Sequence, residues 1–549
     1  MLFKRFIKTA AALVMVATMS IASINVFAMS PAMTVEQASQ PNSDIRNIIY
    51  LIPDGMSVEG TTLARWYKSF DRETGDFDTE VSLSFDAYAS GLVRNWWMNN
   101  GIVGAVVDSA PATTSMASGI KTNDKFLGVT DQSVPVSNVF EGARLMGKST
   151  GLIATSNIQH ATPAGFSSHI NDRSLFDVIS SQQVYGGHDV VFGGGSQFLN
   201  YKGNDLIEVL DELGYQYITT RDEMLKLTEG PVWGMFAPNA MAYDFDRVLH
   251  PTQPSLAEMT AVAIELLNQN EEGFILMVEG SKIDWTAHAN DPIGLISDIL
   301  AFEEAFAVAM EFALENEDTL ILMATDHNTG GITIGNRDTQ NASAWMPYDS
   351  AALINWIEPL THATLTGEGV ASKLNSDRSN IEEVMAEYYG LHNLTFAEMA
   401  QIKNTSLGSM NNVVGLMLSN RAYLGWTTHG HSGGEVVLYN YFPGNGRLVG
   451  MIDNTDFAKI ISGVWDFDLN ELSARLFNDA EVSFTANGAD VEYNEETGVM
   501  TVTKGGNTLE IPEYRNYVTL NGENISIESL NIFSEGIMYV NEAVLVLIK

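Results

Sequence analysis

The run Ile48-Ile49-Tyr50-Leu51-Ile52-Pro53-Asp54-Gly55 decides the fold class. Its first five residues leave no polar face, so the segment reads as a strand covered on both sides, the usual condition in a parallel sheet. Pro53 and Gly55 end it in a loop and put Asp54 at the strand's carboxyl end. Four more runs share this character: Gly151 to Thr155, Val190 to Phe192, Phe274 to Val278 and Thr319 to Thr325. Helical patterns such as Ser255 to Asn268 and Pro292 to Glu315 lie between them. The alternation predicts an α/β protein, a parallel-rich central sheet with helices on both faces.

The chain has 549 residues, enough for one large α/β domain with additions. It contains no cysteine, so disulfides and thiolate chemistry are excluded and any metal must sit on imidazole, carboxylate or hydroxyl groups. Lys4, Arg5 and Lys8 precede an apolar run from about Thr9 to Phe27, and Val26-Phe27-Ala28 fits a cleavage site. Residues 1–28 therefore read as a secretory signal peptide, with an uncleaved anchor as the other reading. The expected destination is the medium, the periplasm or the cell surface, with no membrane span left after cleavage.

The formal net charge is −39, and loss of residues 1–28, which carry three cations and no anion, leaves −42. That balance argues against a binder of nucleic acid or anionic membrane; an anionic substrate would need local cations, which metal ions supply. Residues 29–44 read as a flexible lead-in and 45–479 as the main domain, with an insertion over 331–426 above the ligand end of the sheet. Asp468 to Asp479 reads as its last helix. Residues 480–549 read as a small β-rich module of short runs, including Val482 to Thr485, Val499 to Thr503 and Gly536 to Val540.

Ligands of open α/β sheets gather beyond the carboxyl ends of the strands. Three buried runs are followed there by Asp54, by Glu279 and by Asp326-His327. Val106-Val107-Asp108-Ser109-Ala110-Pro111 passes from an apolar pair into small residues and hydroxyls that end at Gly119, the pattern of a chain turning into a closely packed helix. A hydroxyl at such a junction meets free backbone N–H groups, so Ser109 is a candidate nucleophile, with a plain N-cap as the structural alternative.

A helix from about Ser281 would set Asp284 and His288 one turn apart, where both reach one metal; an ordinary i,i+4 polar pair fits the spacing equally well. Thr325-Asp326-His327 runs into Gly330-Gly331, and Thr428-His429-Gly430-His431 into Gly433-Gly434; alternation alone does not choose between the last two histidines. Gln159-His160-Ala161-Thr162-Pro163-Ala164-Gly165 is followed by His169 and Arg173. Thr162 offers a hard hydroxyl ligand, and the planar fork of Arg173 matches two oxygens of a tetrahedral anion. His160, His169, His288, His327, His429 and His431, six of the chain's ten histidines, lie in these clusters.

The set Ile52-Pro53-Asp54-Gly55-Met56, Asp108-Ser109-Ala110 through Gly119-Ile120-Lys121-Thr122, Gln159 to Ala164, Glu279 to Asp284, Thr325-Asp326-His327 and Gly430-His431-Ser432-Gly433 resembles the alkaline phosphatase family from about residue 45 to 460. The resemblance implies hydrolysis of phosphate monoesters at alkaline pH, through a phosphoserine on Ser109, with two Zn2+ and one Mg2+. Carried over motif by motif, one zinc falls to Asp284, His288 and His431, and the other to Asp54, Asp326 and His327 beside Ser109. The third metal falls to Asp54, Thr162 and Glu279, and Arg173 binds two phosphate oxygens. The same comparison selects His431 over His429.

His160 and Trp285 would line the substrate. His160 stands where some bacterial members have Asp, which leaves the third metal's identity open, and Trp285 stands where some have Lys, which implies altered phosphate affinity. Gly434-Glu435 stands where vertebrate-like members have Glu-Asp. Small phosphate monoesters are the implied partners, without nucleic acid, and a homodimer is compatible with the family. Val518-Thr519-Leu520-Asn521-Gly522 and Gly536-Ile537-Met538-Tyr539-Val540 resemble the stalk-like repeats found beside secreted catalytic domains, which suggests attachment to the cell envelope.

Three other readings compete. A formylglycine site of the sulfatase type needs Arg after Ser-x-Pro-x, and Thr113 follows Ala112 here. A phosphodiesterase of the same superfamily would differ in the pocket under the insertion. A non-catalytic secreted anion-binding protein would have no need of Ser109, Arg173 and every metal position together.

Overall fold

The computed structural model describes residues 31–335, 351–444 and 446–548; the expected signal peptide lies outside them. The central sheet has ten strands: β1 (Asn47–Ile52), β2 (Ala89–Arg94), β3 (Ser149–Asn157), β4 (Val190–Gly194), β5 (Gln216–Ile218), β6 (Val232–Met235), β7 (Phe274–Glu279), β8 (Thr319–Met323), β9 (Val436–Tyr441) and β10 (Gly450–Asp453). Their order is β5-β6-β4-β3-β7-β1-β8-β9-β2-β10, and only β9 runs antiparallel to the rest. Every residue of β1, β7 and β8 is buried, as their unbroken apolar runs require.

The principal helices are α1 (Val58–Ser69), α2 (Ser109–Ser118), α3 (Phe176–Gly186), α4 (Leu256–Leu267), α5 (Lys282–Ala289), α6 (Pro292–Glu315), α7 (Met410–Arg421) and α8 (Asp456–Val464). Side chains of β1 alternate between two cores. Ile49 and Leu51 join Leu63 of α1, Met259 of α4, and Ile299 and Phe302 of α6. Ile48, Tyr50 and Ile52 join Met116 of α2, Val184 of α3 and Phe457 of α8. Two apolar faces on one sheet therefore recruit helices to both sides.

Several elements differ from the sequence reading. The β8 strand stops at Met323 because the Thr325 hydroxyl donates to the His327 carbonyl at 2.8 Å and accepts from the Met56 amide at 3.2 Å, which turns the chain early. The lead-in is tied down: Ala32–Met33 pairs with Arg447–Leu448, and Thr34 caps a short helix whose Ala38 is buried. The helix expected over 468–479 ends at Leu476, and Asn478–Asp479 pairs with Tyr539 and Val540. Val482 to Thr485 is helical within Ala480–Ala486, because Asp479 accepts from the Val482 amide and Ala480 and Phe484, one turn apart, both enter the core of the module.

The described part of residues 331–426 is mainly helical and leaves and returns through one ladder, Ile332–Ile334 against Leu424–Trp426. The C-terminal module is an antiparallel sheet of β11 (Asp490–Asn494), β12 (Val499–Lys504), β13 (Asn507–Pro512), β14 (Tyr517–Leu520) and β15 (Glu523–Ser526), followed by the hairpin β16 (Ile532–Ser534) and β17 (Ile537–Val540). Tyr514, Leu530, Ile532 and Tyr539 extend the core of the main sheet into it. Among the described residues no helix is long and apolar enough to cross a membrane.

Candidate active site

Asp108, in extended conformation, caps α2, and Ser109 is the first helical residue, so the serine is not the cap that its sequence context allowed. Every residue of α2 is buried. Its small residues let α2 lie close to the short helix Ala161–Gly165; a Cβ on Gly165 would stand 2.3 Å from the Thr113 hydroxyl oxygen. Ser109 is 2 % exposed and its Oγ lies 3.1 Å from His327 Nε2.

Around this hydroxyl the carboxyl ends of β1, β7 and β8 deliver Asp54, Glu279 and Asp326-His327. Gly55, at φ +72°, makes the turn after β1 and passes so close to Asp284 that a Cβ there would fall 2.8 Å from the Asp284 backbone and carboxylate. The helix α5 stands Asp284 and His288 on one face, Asp284 Oδ2 to His288 Nε2 being 3.3 Å. A two-residue ladder, Asn328–Thr329 against His431–Ser432, swings His431 over the β8 loop. His431 then stacks on His327 with ring centroids 3.6 Å apart, and its Nε2 lies 3.2 Å from that of His288 and 3.7 Å from Asp284 Oδ1.

Three sets of donor atoms converge: Asp54 with Asp326 and His327; Asp284 with His327 and His431; and Asp54 with His160 and Glu279. Within each, the atoms lie within 4.8 Å of one another. Asp54, Glu279 and Asp326 are fully buried, yet neither oxygen of Asp54 or Glu279, nor Oδ2 of Asp326, nor the hydroxyl of Thr162, has a hydrogen-bond partner. His327 Nε2, 3.2 Å from Asp326 Oδ2 and 3.6 Å from Asp54 Oδ1, is shared between two of these carboxylates and leaves the cluster under-compensated, so this donor set fits divalent cations and is unfavourable without them.

Burial first, and then the charges of Asp326, Asp284 and Glu279, hold the Asp54 carboxyl well above the usual carboxylate range. Burial, with Asp326, pushes Glu279 up to about 8. Burial would also raise Asp284, but its bond to His288 and the charges of the neighbouring histidines hold it below the usual range. A carboxyl raised on folding stabilises the fold fully below its unfolded value, near 4.3 for Glu, and loses that contribution as pH rises toward the folded value. The metal-stripped protein is thus expected to melt at progressively lower temperature from about pH 5 to pH 8. Bound divalent cations should flatten that slope in a thermal melt.

Arg173 lies beside these groups, its Nη1 2.6 Å from Asp108 Oδ2 and its Nη2 3.1 Å from His160 Nε2. The Trp285 ring meets His160 edge-on at 5.6 Å, and the buried Lys282 ammonium lies over the rings of Tyr243 and Trp285 at 4.3 and 4.2 Å. Burial, reinforced by Arg173, lowers His160 to about 3, so its imidazole is neutral at working pH.

His169, expected in the same cluster as Arg173, turns away to Glu141 and the Gly128 carbonyl. His429 donates from Nδ1 to the His288 carbonyl at 2.8 Å and thereby shapes the loop that aims His431. Sequence reasoning assigned no role to Asp108 or to Thr329, whose hydroxyl bonds Asp284 Oδ1 at 2.6 Å and approaches His327 Nδ1 at 3.2 Å. Their positions within the quoted clusters were the one available signal.

A serine hydroxyl at a helix start, an arginine fork and buried clusters of cation-binding side chains at the ends of parallel strands define a hydrolase of the α/β class. The chain belongs to the alkaline phosphatase family, whose model matches residues 45–466. It is 36% identical over 460 residues to alkaline phosphatase 4 of Bacillus subtilis, covering 81% of this chain and 95% of that one. To alkaline phosphatase 3 of the same organism it is 34% identical over 473 residues, covering 83% and 96%. The crystal structure of the cold-active alkaline phosphatase from a Shewanella species superposes with a TM-score of 0.66 at 27% identity, covering 76% of this chain and 99% of that one. Residues 472–546 match a second model, the copper amine oxidase N-terminal domain. The protein is thus a metal-dependent phosphatase acting on phosphate monoesters.

Proposed function

We propose that Ser109 is the nucleophile of a double displacement and that two Zn2+ and one Mg2+ assist it. Asp284, His288 and His431 would hold one zinc, Asp54, Asp326 and His327 the other, and Asp54, Thr162 and Glu279 the magnesium, with His160 in reach of that third group. When bound, the ions supply the positive charge that lowers the pKa of a hydroxyl or a water and steadies the departing oxygen. The observation that carries this reading is the buried Ser109 Oγ, 3.1 Å from the Nε2 of His327, which itself lies 3.2 Å from Asp326 Oδ2 and 3.6 Å from Asp54 Oδ1.

In this reading Arg173 binds two oxygens of the phosphoryl group as a planar fork, and Asp108 fixes the fork from behind. Ser109 Oγ, its proton released to solvent, attacks phosphorus; the ester oxygen leaves with the bonding pair and takes up a proton from solvent, and the phosphoryl group rests on Ser109. Water, giving a proton to solvent, then attacks in line from the side the ester oxygen left, opposite Ser109; the Ser109 oxygen leaves with the bonding pair and regains a proton from solvent, and inorganic phosphate is released with configuration at phosphorus retained. The backbone amides at the start of α2 face the developing charge.

The same reading places the working protein outside the cytoplasm, behind a signal peptide over 1–28, and gives the C-terminal module an attachment role. Support for export comes from Lys4, Arg5 and Lys8 ahead of an apolar run. The test is turnover by the purified protein. Release of phosphate from an aryl phosphate at alkaline pH should stop with a chelator and return with zinc and magnesium, whereas turnover that survives complete removal of metal would refute the reading.

A further inference from the structure

The C-terminal module lies beyond the alkaline phosphatase match, which ends at residue 466, yet it contacts both the loop that carries Arg173 and the helix α3 that follows it. At the tip of the β16–β17 hairpin the Glu535 carboxylate accepts a hydrogen bond from the Asn171 side-chain amide, two residues before Arg173. Beside it the Ser534 hydroxyl donates to the Ser133 carbonyl at 2.7 Å. Behind Arg173, the Arg515 guanidinium donates to the Ser181 hydroxyl at 2.5 Å and covers the Tyr185 ring at 4.3 Å, both on α3. Arg515 is 8 % exposed, and the neighbouring Glu513 is buried under Lys202, at 2.7 Å, and the Tyr201 hydroxyl.

The two loops touched by the hairpin are themselves joined. Leu127 and Ile170 exchange two backbone hydrogen bonds of 2.8 Å, and the Arg173 amide donates to the Lys125 carbonyl at 3.0 Å. Residues 171–175 lie outside helix and strand; a turn in which the Asp172 side chain accepts from the Ser174 amide at 3.0 Å and its carbonyl from the Leu175 amide at 3.2 Å shapes them locally, and contacts from outside set where that turn sits. A site residue on a loop keeps its geometry only when its supports hold it from outside. Here part of that support comes from the module.

We propose that the C-terminal module is a working part of the phosphate site, with Glu535 a positioning residue that holds the Arg173 loop through Asn171 while Arg515 anchors α3 behind it. The proposal rests on the reading of Arg173 as a phosphate ligand. One exposed hydrogen bond governs a small free energy, so the effect is graded rather than total.

In the full-length, metal-loaded protein, Glu535→Ala should raise both KM for an aryl phosphate and the inhibition constant of inorganic phosphate about three- to tenfold, with kcat within about twofold of wild type. Glu535→Gln keeps an oxygen that accepts from Asn171 and should stay at wild-type values. On an Arg173→Ala background, Glu535→Ala should add nothing, because both changes act through one guanidinium. Wild-type constants for Glu535→Ala beside a defective Arg173→Ala, or additive losses in the double variant, overturn the proposal alone. Unchanged phosphate inhibition in Arg173→Ala overturns the clamp reading and the proposal together.

Discussion

Ser109→Ala is expected to lower kcat for a phosphate monoester by about 10^4-fold or more, with metal content and melting temperature unchanged. The change removes one oxygen from a side chain that is 2 % exposed, at the start of a helix held by the Asp108 cap and by close packing around Gly165. Every carboxylate and imidazole of the three donor sets stays in place, and His327 loses one neutral contact, at 3.1 Å. Binding and folding therefore survive while the attacking atom is gone. Steady-state kinetics and metal analysis on one preparation check this, and a variant that keeps more than about a tenth of wild-type turnover would exclude Ser109 as the nucleophile.

Asp54→Asn should act on activity and stability in opposite directions. Asp54 belongs to two of the three donor sets, so neutralising it weakens both, with a loss of activity of roughly a thousandfold, about 4 kcal/mol of transition-state stabilisation. In the stripped protein the same change relieves repulsion among Asp54, Asp326, Asp284 and Glu279, all buried. The stripped variant should then melt above the stripped wild type at pH 8, an exchange of stability against function. Parallel melts of the stripped proteins decide it; a variant that melts lower would show that Asp54 stabilises the fold by contacts of its own and not at the expense of it.

Much of this arrangement was legible in the chain. Unbroken apolar runs marked β1, β7 and β8, and each run was followed by acidic residues or histidine where ligands of an α/β sheet gather. What stayed hidden was long-range. Alternation near residues 429 and 431 does not choose between the two histidines; the ladder with Asn328–Thr329 is what brings His431 to Asp284 and His327. Nothing around Arg173 in the chain tells that Asp108 stands against its fork at 2.6 Å. Val482 to Thr485 has the composition of a strand, and only the Asp479 cap and the burial of Phe484 make it a helix. The contact between Glu535 and Asn171 joins residues more than 300 positions apart, beyond the reach of any local pattern.

The covalent step is the centre of the account, and one measurement reaches it. The metal-loaded protein is mixed with a phosphate monoester or inorganic phosphate, quenched in acid, digested and analysed by mass spectrometry. One phosphoryl group on the peptide holding Asp108-Ser109-Ala110, at Ser109 and absent from Ser109→Ala, is the predicted result. Full turnover with no phosphopeptide at any quench time and pH, or phosphorylation at another residue, would contradict the account.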